Sequence, residues 1–378
     1  MRIALVCDSY LPRLGGIELH VHDLAVQLSR AAHSVVVITA TGSPEQLDDV
    51  AVIRLPAVRT LPTPGALADL RQIVAAGPYD VVHVHMSLFS PLAWSAARAA
   101  SAAGVPTVVT MHSLPAAGGV VVPRMLAWLD DALGAQVEWT AVSEVVAESL
   151  QPSLPARTVR VLHNGIDPLL WRPGEARRDR PLTIVSTMRL TRRKRPAALL
   201  RTLAAIRRLV PAEVPLRAVI VGAGPRAAGL ARTVEQRRLA DWVELPGRLT
   251  RAEIRCLYTD ADVYLAPAEL ESFGVAALEA RCAGLAVVAM ASGGVGEFVR
   301  HGVEGFLVDG DEAMARATAD LLTTPEVMRR IQEHNRTTEP VMTWVAVTDR
   351  HLRLYRLAAL RPGSRALGSE PGLSSAIS

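Results

Sequence analysis

The chain has 378 residues, a length that favours two domains of roughly 100–200 residues each. Half of the residues are hydrophobic and only 4% are aromatic, so Ala, Val and Leu must build the core, as in helices packed on a parallel sheet. The 41 basic and 37 acidic residues leave a net charge of +4, and the absence of a basic tract with interleaved aromatic residues argues against a nucleic-acid partner.

Cysteine usage and hydropathy set the expected compartment. Cys7, Cys256 and Cys282 are far apart in sequence and form no metal-type pair, which predicts a reduced, cytoplasmic chain. The apolar run at residues 3–7 is too short for a signal peptide. No apolar stretch reaches the about 18 residues of a membrane span, so none is predicted.

Strand and helix patterns alternate through the first half, which predicts βαβ units and a parallel sheet. Gly15 and Gly16 lie between the first strand and the first helix, where glycines let the backbone approach a phosphate; an ordinary βα turn is the alternative. The predicted strands are residues 3–7, 35–39, 80–84, 107–110 and 139–142.

Three histidines of this half are candidates for chemistry. His112 follows the strand at 107–110, and the end of a parallel strand favours a functional role. His83 and His85 alternate within a strand and share one face, but no third ligand is evident, so no metal site is predicted.

Prolines, glycine and charges interrupt the pattern at 171–181, and the alternation then restarts. The predicted organisation is a first domain at 1–172, a linker at 173–181, a second domain at 182–340, an amphipathic helix at 341–360 and a disordered tail at 361–378. The strands expected in the second domain are residues 182–187, 216–221, 242–245, 262–266, 286–289 and 306–308.

Glu271 and Glu279 are the most informative pair of residues. A buried strand is predicted at 261–267 and a helix after Ser272, so Glu271 lies in a loop at the sheet edge and Glu279 lies about two turns into the helix. The free N–H groups of Ser272, Phe273, Gly274 and Val275 lie between them and attract phosphate. The pair suits a ligand with hydroxyls and phosphate, such as a sugar nucleotide; a solvated helix with two unrelated glutamates is the alternative.

Arg189 and Lys194 follow the first strand of the second domain. Lys194 is the only lysine among the 41 basic residues, which favours a specific role for it. An ammonium and a guanidinium together neutralise a diphosphate well. The neighbouring Arg192, Arg193 and Arg195 are assigned to a solvated basic helix start.

The segment Gly222-Ala223-Gly224 supports a rival hypothesis. It follows a strand and fits a dinucleotide-binding pattern, with Glu244 at the end of the next strand, as in an NAD(P)-dependent oxidoreductase. Its place in the middle of the domain and the proline at 225 argue against this function.

Two Asp-x-Asp matches, Asp260 with Asp262 and Asp309 with Asp311, suggest a metal-dependent sugar transferase. We interpret Asp262 as the start of a strand and Asp311 as a helix cap, so neither match predicts a metal site.

In order along the chain, these segments resemble retaining glycosyltransferase family 4, a bacterial nucleotide-sugar glycosyltransferase type. The resemblance covers residues 1 to about 360. It implies the α/β GT-B fold, with two Rossmann-like domains facing a central cleft and a C-terminal helix crossing back to the first domain. Its parts are Gly15-Gly16-Ile17-Glu18, Thr110-Met111-His112, Asn164-Gly165-Ile166-Asp167, Arg189 with Lys194, Gly222-Ala223-Gly224-Pro225, Pro246-Gly247-Arg248, Pro267 through Glu271 to Glu279-Ala280, and Gly293-Gly294-Val295-Gly296-Glu297.

The resemblance also implies roles. Arg189 and Lys194 resemble the diphosphate clamp, Gly16 the glycine at the distal phosphate, and residues 272–275 the amide cradle. Glu279 is similar to the ribose-binding glutamate, Arg248 to the position whose backbone reads the base, and Glu271 with His112 to residues beside the donor sugar.

Two positions depart from the family pattern. Ala32 precedes His33 where the family has glycine, and Arg195 follows Lys194 where glycine is usual. Neither departure removes a chemical group from the expected site.

The resulting hypothesis is a metal-independent, cofactor-free hexosyltransferase that uses a UDP- or GDP-sugar and an acceptor that is a cyclitol, lipid, small metabolite or glycan. The oxidoreductase is the alternative, and a non-catalytic sugar-nucleotide sensor is a third. Arg124 and Trp128 in the helix at 123–129 suggest weak peripheral contact with the inner membrane face, although Asp130 and Asp131 favour an ordinary packed helix.

Overall fold

The protein consists of two α/β units. A computed structural model describes residues 1–43, 49–58, 61–114, 121–134, 136–174, 180–361, 363–365 and 367. Chain contacts group Met1–Gly165 with Trp344–Ser378 as the first unit, and Ile166–Thr343 as the second. Elements are numbered here in chain order.

The first unit is built on a seven-stranded sheet in the order β3-β2-β1-β6-β7-β8-β9, with every pairing parallel. Its central strands are buried along their length because helices cover both faces, which explains their near-continuous apolar sequence. The strands are β1 Arg2–Cys7, β2 Ser34–Thr39, β3 Ala51–Arg54, β6 Val81–Met86, β7 Thr107–Met111, β8 Val137–Ala141 and β9 Arg160–Val161. A separate antiparallel pair consists of β4 Ala57–Val58 and β5 Leu61–Pro62.

Six α-helices of this unit lie in the part of the chain that the structure describes. The last of them comes from the C-terminal segment: α13 packs on α1 and β7, so the helix predicted at 341–360 returns to the first unit. The helices are α1 Gly16–Arg30, α2 Pro64–Ala76, α3 Pro91–Ala102, α4 Val121–Leu133, α5 Glu144–Leu150 and α13 Trp344–Ala359.

The second unit has a six-stranded parallel sheet in the order β12-β11-β10-β13-β14-β15. The chain runs outward from β10 to β12 and then resumes on the other side of β10 with β13. The boundary between β10 and β13 is therefore the switch point at which α/β sheets bind ligands. The strands are β10 Leu182–Thr187, β11 Leu216–Val221, β12 Val243–Gly247, β13 Val263–Ala266, β14 Ala286–Met290 and β15 Gly305–Val308.

Helices cover both faces of this second sheet. Ile206 and Met314 are fully buried in its core, with α7 and α11 packed side by side. The helices are α6 Pro168–Trp171, α7 Pro196–Leu209, α8 Ala227–Gln236, α9 Arg251–Thr259, α10 Val275–Cys282, α11 Asp311–Thr323 and α12 Pro325–Thr337. Within the described ranges, no helix of either unit combines the length and the apolar character that crossing a bilayer requires.

The unit boundaries differ from those predicted from sequence. The first unit ends after Gly165 instead of near residue 172, because α6 packs on α10 of the second unit. Residues 341–343 also belong to the second unit, where the Ile166 N–H donates to the Met342 carbonyl at 2.9 Å. Residues 175–179 of the predicted linker, and 362, 366 and 368–378 of the predicted tail, lie outside the described residues.

Candidate active site

The predicted donor-binding residues of the second unit converge on the carboxyl edge of its sheet. Arg189 and Lys194 follow β10, while Glu271 and α10 follow β13, its parallel neighbour. Arg248 follows β12 at the same edge, and its side chain is exposed. Parallel strands end on one side of a sheet, and this brings together segments that are far apart in the sequence.

Lys194 and Glu271 form the central contact of this edge. Lys194 Nζ donates to Glu271 Oε2 at 2.5 Å, and both side chains are largely buried, with 23% and 17% exposure. An ammonium has three N–H donors, and one contact of this kind leaves donor capacity for a second anion. Arg189 precedes Lys194 in the segment after β10, and its side chain is exposed.

Arg195 explains a departure from the family pattern. Its backbone is left-handed (φ 55°, ψ 42°), a conformation that favours glycine, the residue that the family has here. Its side chain donates to the Pro267 carbonyl at 2.9 Å and pairs with Asp311 at 2.9 Å and Glu269 at 3.1 Å. The expectation that Arg195 belongs to a solvated helix start was therefore wrong, because it ties the Lys194 turn to β13 and α11.

The N-terminus of α10 begins beside the Lys194–Glu271 pair. Gly274 occupies its N-cap position with φ 94°, a left-handed conformation, and Val275 is the first helical residue. The segment at 293–294 supports the preceding loop: the Gly294 N–H donates to the Glu271 carbonyl at 2.8 Å, and a Cβ on Gly294 would lie 2.4 Å from the Ser272 carbonyl. Ser272 and Phe273 are buried in that loop.

Glu279 lies on α10 and is 8% exposed. Its charge contributes to the raised pKa values of Tyr258 and Tyr264, although burial is the larger cause for both phenols. Glu279 thus lies on the buried face of α10. The alternative hypothesis, in which this glutamate is solvated, does not fit its burial.

The features that supported an oxidoreductase have structural explanations. Gly222 has φ 142°, and a Cβ there would lie 1.8 Å from the Met188 carbonyl, so close backbone packing requires this glycine. Glu244, the expected ribose ligand of that alternative, pairs with Arg217 through two hydrogen bonds of 2.7 and 2.8 Å.

Both Asp-x-Asp matches contain an aspartate that holds the fold together. Asp262 accepts from the Arg180 guanidinium at 2.6 and 2.9 Å and from the Thr183 N–H at 2.8 Å. Asp311, in the first turn of α11, pairs with Arg195. The role expected of Asp311 as a helix cap belongs instead to Gly310.

In the first unit, the glycine pair opens α1 at the carboxyl edge of β1. Gly15 is the N-cap, and a Cβ there would lie 2.4 Å from Glu18 Oε2. Gly16 is exposed, and a Cβ on it would meet nothing within 4 Å, so its backbone faces open space. This geometry fits an approach of the backbone to a ligand.

His112 lies directly after β7 and belongs to a cluster of five buried rings, which we call the histidine cluster: His20, His83, His85, His112 and His351. His85 Nδ1 lies 3.0 Å from His112 Nε2. Burial, together with the nearby His351, lowers the pKa of His112 to about 3, and burial lowers the pKa of His351 to about 4. The rings are therefore neutral at physiological pH.

The sequence analysis missed two members of this cluster, His351 on α13 and His20. His20 lies on α1 with Leu24 and Leu28, at intervals of one helical turn, and all three side chains are buried. A histidine in the apolar stripe of a predicted helix was the signal that could have found it.

Comparisons with known proteins identify the class. Two α/β units with parallel sheets, and cationic and acidic groups at the switch point of the second sheet, are typical of GT-B glycosyltransferases. Matches to protein-family profiles agree with this class. The profile described as "Glycosyltransferase Family 4" matches residues 14–169, and "Glycosyl transferases group 1" matches residues 170–338. The chain belongs to the family 4 glycosyltransferases, and the oxidoreductase alternative is wrong.

Two curated relatives indicate the range of related activities. A phosphatidylinositol N-acetylglucosaminyltransferase polypeptide of Arabidopsis thaliana is 28% identical, over 97% of this chain and 84% of its own length. The D-inositol 3-phosphate glycosyltransferase of Mycobacterium tuberculosis strain F11 is 31% identical, over 75% of this chain and 62% of its own length. The chain thus spans less than two thirds of this mycobacterial relative.

Solved structures confirm the predicted fold. The Anabaena HepE protein, determined in complex with UDP, superposes with a TM-score of 0.77 at 20% identity, over 95% of this chain and all of that one. Sucrose-phosphate synthase from Thermosynechococcus elongatus gives a TM-score of 0.75 at 21% identity, over 94% of this chain and 98% of that one.

Proposed function

We propose that this glycosyltransferase transfers a hexosyl group from a UDP- or GDP-sugar with retention of anomeric configuration and without a divalent metal. The observation that carries the proposal is the Lys194–Glu271 contact of 2.5 Å beside the N-terminus of α10. A cation and a helix N-terminus at one switch point suit a diphosphate. The solved Anabaena structures with UDP and with UDP-glucose support a uridine donor.

The chemistry follows from where charge develops. As the bond between the sugar C1 and the diphosphate oxygen breaks, negative charge grows on the diphosphate, and preorganised cations and N–H groups stabilise it. Lys194, Arg189 and the amides of Ser272 to Val275 supply these groups in our proposal. The acceptor oxygen forms the new bond to C1 on the same face, and its proton passes to the departing diphosphate.

The remaining roles complete this proposal. Glu279 binds the ribose hydroxyls, and the backbone at Arg248 contacts the base. Glu271 faces the donor sugar and also hydrogen-bonds to Lys194. In the first unit, Gly15 and Gly16 offer backbone to the distal phosphate, and His112 contacts the sugar as a neutral hydrogen-bonding group.

The clamp is tested by replacing Lys194 with alanine. We expect kcat to fall by roughly a hundred-fold, about 3 kcal/mol of transition-state stabilisation, as for loss of one oxyanion-hole donor. Arg193→Ala is the matched control, because Arg193 is an exposed cation in the same 3-10 turn. Equal kinetics for the two variants would exclude the clamp.

Metal independence is tested in the same assay. Asp262 and Asp311 are engaged by arginines, which supports a transfer reaction that uses neither Asp-x-Asp match as a metal site. We expect turnover to persist in EDTA. A loss of turnover that Mg²⁺ or Mn²⁺ restores would refute this part of the proposal.

The donor and the stereochemistry are read from products. A panel of UDP- and GDP-sugars is incubated with cyclitol, lipid, small-molecule and glycan acceptors and analysed by mass spectrometry. The product's anomeric coupling in NMR should match that of the donor. The names of both curated relatives point to inositol-containing acceptors, which therefore come first in the panel.

A peripheral membrane contact would suit a lipid acceptor, and we propose that α4 provides it in a cytoplasmic protein. Trp128 and Phe89 are 64% and 70% exposed beside a groove of about 660 Å³ that Arg71 and Arg98 also line. Asp130, which argued for an ordinary packed helix, is paired with Arg157 at 2.9 Å.

This contact is tested by sedimentation with anionic and with neutral vesicles. Binding to anionic vesicles should fall in Trp128→Ser. It should persist in Val345→Ser, which removes an exposed apolar side chain from α13. Equal binding of both variants would contradict the contact.

A further inference from the structure

The nitrogen atoms of the histidine cluster fall into two groups. His83 is fully bonded, since its Nδ1 lies 2.8 Å from Tyr355 Oη and its Nε2 lies 2.6 Å from Thr110 Oγ1. His351 Nδ1 lies 2.8 Å from the Val347 carbonyl. In contrast, His20 Nδ1 and His85 Nε2 are buried without a hydrogen-bond partner.

Unpartnered ring nitrogens are unfavourable in an apolar interior. A buried polar atom without a partner costs about 1–3 kcal/mol, so the few native examples require a reason. Here the two atoms belong to neighbouring rings, with His20 and His85 centroids 5.8 Å apart. An ion that accepts the lone pair of His20 Nδ1 would satisfy that atom.

A third ring completes the arrangement. One nitrogen from each of His20, His85 and His112 lies within 4.8 Å of the other two. His85 Nδ1 and His112 Nε2 are 3.0 Å apart, close to the about 3.3 Å that separates ligand nitrogens around a tetrahedral zinc with bonds of about 2.0–2.1 Å.

The elements that carry these rings hold them in place. His85 lies near the end of β6, and His112 follows β7, the parallel neighbour of β6. The backbone N–H of His112 donates to the Met86 carbonyl at 2.8 Å. His20 stacks on Trp344, with centroids 5.6 Å apart and an interplanar angle of 20°. All of these residues belong to the first unit.

We propose that His20, His85 and His112 form a binding site for one Zn²⁺ ion in the first unit. Three neutral imidazoles are the ligand set of open zinc sites, and imidazole nitrogen is a good donor for this ion. Burial lowers the pKa of His20, His85 and His112, so protons compete weakly for the lone pairs at neutral pH.

The proposal is separate from the donor chemistry. The cation is not the Mg²⁺ or Mn²⁺ of a metal-dependent transferase, and no step of the proposed transfer passes through it. His112 has two ring nitrogens, so one can bind zinc while the other faces a substrate. Because Arg189, Lys194 and Glu271 lie in the second unit, a failure of zinc binding leaves the proposed diphosphate clamp untouched.

The test uses the whole chain, stripped with a chelator, loaded with Zn²⁺ and desalted. Zinc content is measured by mass spectrometry in the wild type, His20→Phe, His85→Phe and His351→Phe. The last is the matched control, because it replaces a buried ring of the same cluster outside the proposed ligand set. Far-UV circular dichroism confirms folding of each variant.

We expect one zinc per chain in the wild type and in His351→Phe, and a loss of that ion in the other two variants. A wild type without stoichiometric zinc, or a zinc content that ignores the identity of residues 20 and 85, would overturn the site. Titration of the wild type with Co²⁺ gives a second readout that needs no variant. The intense visible absorption of a four-coordinate ion supports the site, and the weak absorption of a six-coordinate ion contradicts it.

Discussion

The histidine cluster predicts that acid weakens the first unit selectively. The pKa of His112 is about 3 and that of His351 about 4 in the folded chain, against 6.5 without burial. A folded-state pKa below the unfolded value means that stability is present above pH 6.5 and is lost as the pH falls. At pH 5 each ring thus lowers the free energy of unfolding by about 2 kcal/mol relative to pH 8.

Asp8 opposes part of this loss. Burial raises its pKa to about 6, against the hydrogen bonds that its carboxylate accepts from the Leu92 and Ala93 N–H groups. This group stabilises the fold as the pH falls, by about 1.4 kcal/mol between pH 8 and pH 5. The net loss is about 2–3 kcal/mol, and the lowered pKa values of His20, His83 and His85 add to it.

Two buried thiols report the units separately. Cys7 lies in β1 of the first unit and Cys282 in α10 of the second, while the exposed Cys256 is replaced by serine. Their reactivity toward 4,4′-dithiodipyridine is followed against urea in metal-free buffer. With a slope of about 2 kcal/mol per molar urea, the Cys7 midpoint should fall by about 1 M or more between pH 8 and pH 5.

The two thiols of one chain provide both the control and the result that could refute the prediction. The Cys282 midpoint should move less than that of Cys7, and His351→Phe should reduce the pH response of Cys7 by about 2 kcal/mol. Identical shifts of the two thiols, or a Cys7 midpoint that does not respond to pH, would refute the assignment of buried neutral rings.

Two further predictions concern the backbone of the second unit. Arg195→Gly and Arg195→Ala lose the same side-chain contacts, but only alanine keeps the cost of a non-glycine residue in a left-handed conformation. The glycine variant should therefore be more stable than the alanine variant in thermal unfolding by about 1 kcal/mol. Equal stability of the two variants would contradict the left-handed turn. Gly222→Ala should destabilise by about 3 kcal/mol, because its Cβ would overlap the Met188 carbonyl. Gly229→Ala, in open space on α8, should stabilise slightly, and similar values for both glycine variants would contradict the close packing.

Local periodicity was enough to predict most of the fold. The helix expected after Ser272 is α10, and the strand expected before Pro267 is β13, since buried apolar runs and breakers mark both. The four-residue helix α6 is too short for a period, so residues 168–171 were assigned to the first half. Trp171 instead packs against Tyr258, with ring centroids 5.8 Å apart.

The sequence singled out the residues of the candidate site but not the contacts between them. Lys194 was singled out by residue type, but its hydrogen bond to Glu271 depends on β10 and β13 being neighbours, which spacing along the chain does not reveal. Arg195 contacts Pro267 and Asp311, which are also distant in sequence. His20 joins His85 and His112 only because α1 packs beside the sheet.

The central claim is that the Lys194–Glu271 edge of the second sheet binds the donor diphosphate. A crystal structure with the UDP- or GDP-sugar selected by the donor panel tests it most directly. We expect diphosphate oxygens within about 3 Å of Lys194 Nζ and of the Arg189 guanidinium, with Glu279 at the ribose. A diphosphate bound elsewhere, for example on the Gly222–Gly224 turn, would contradict the account.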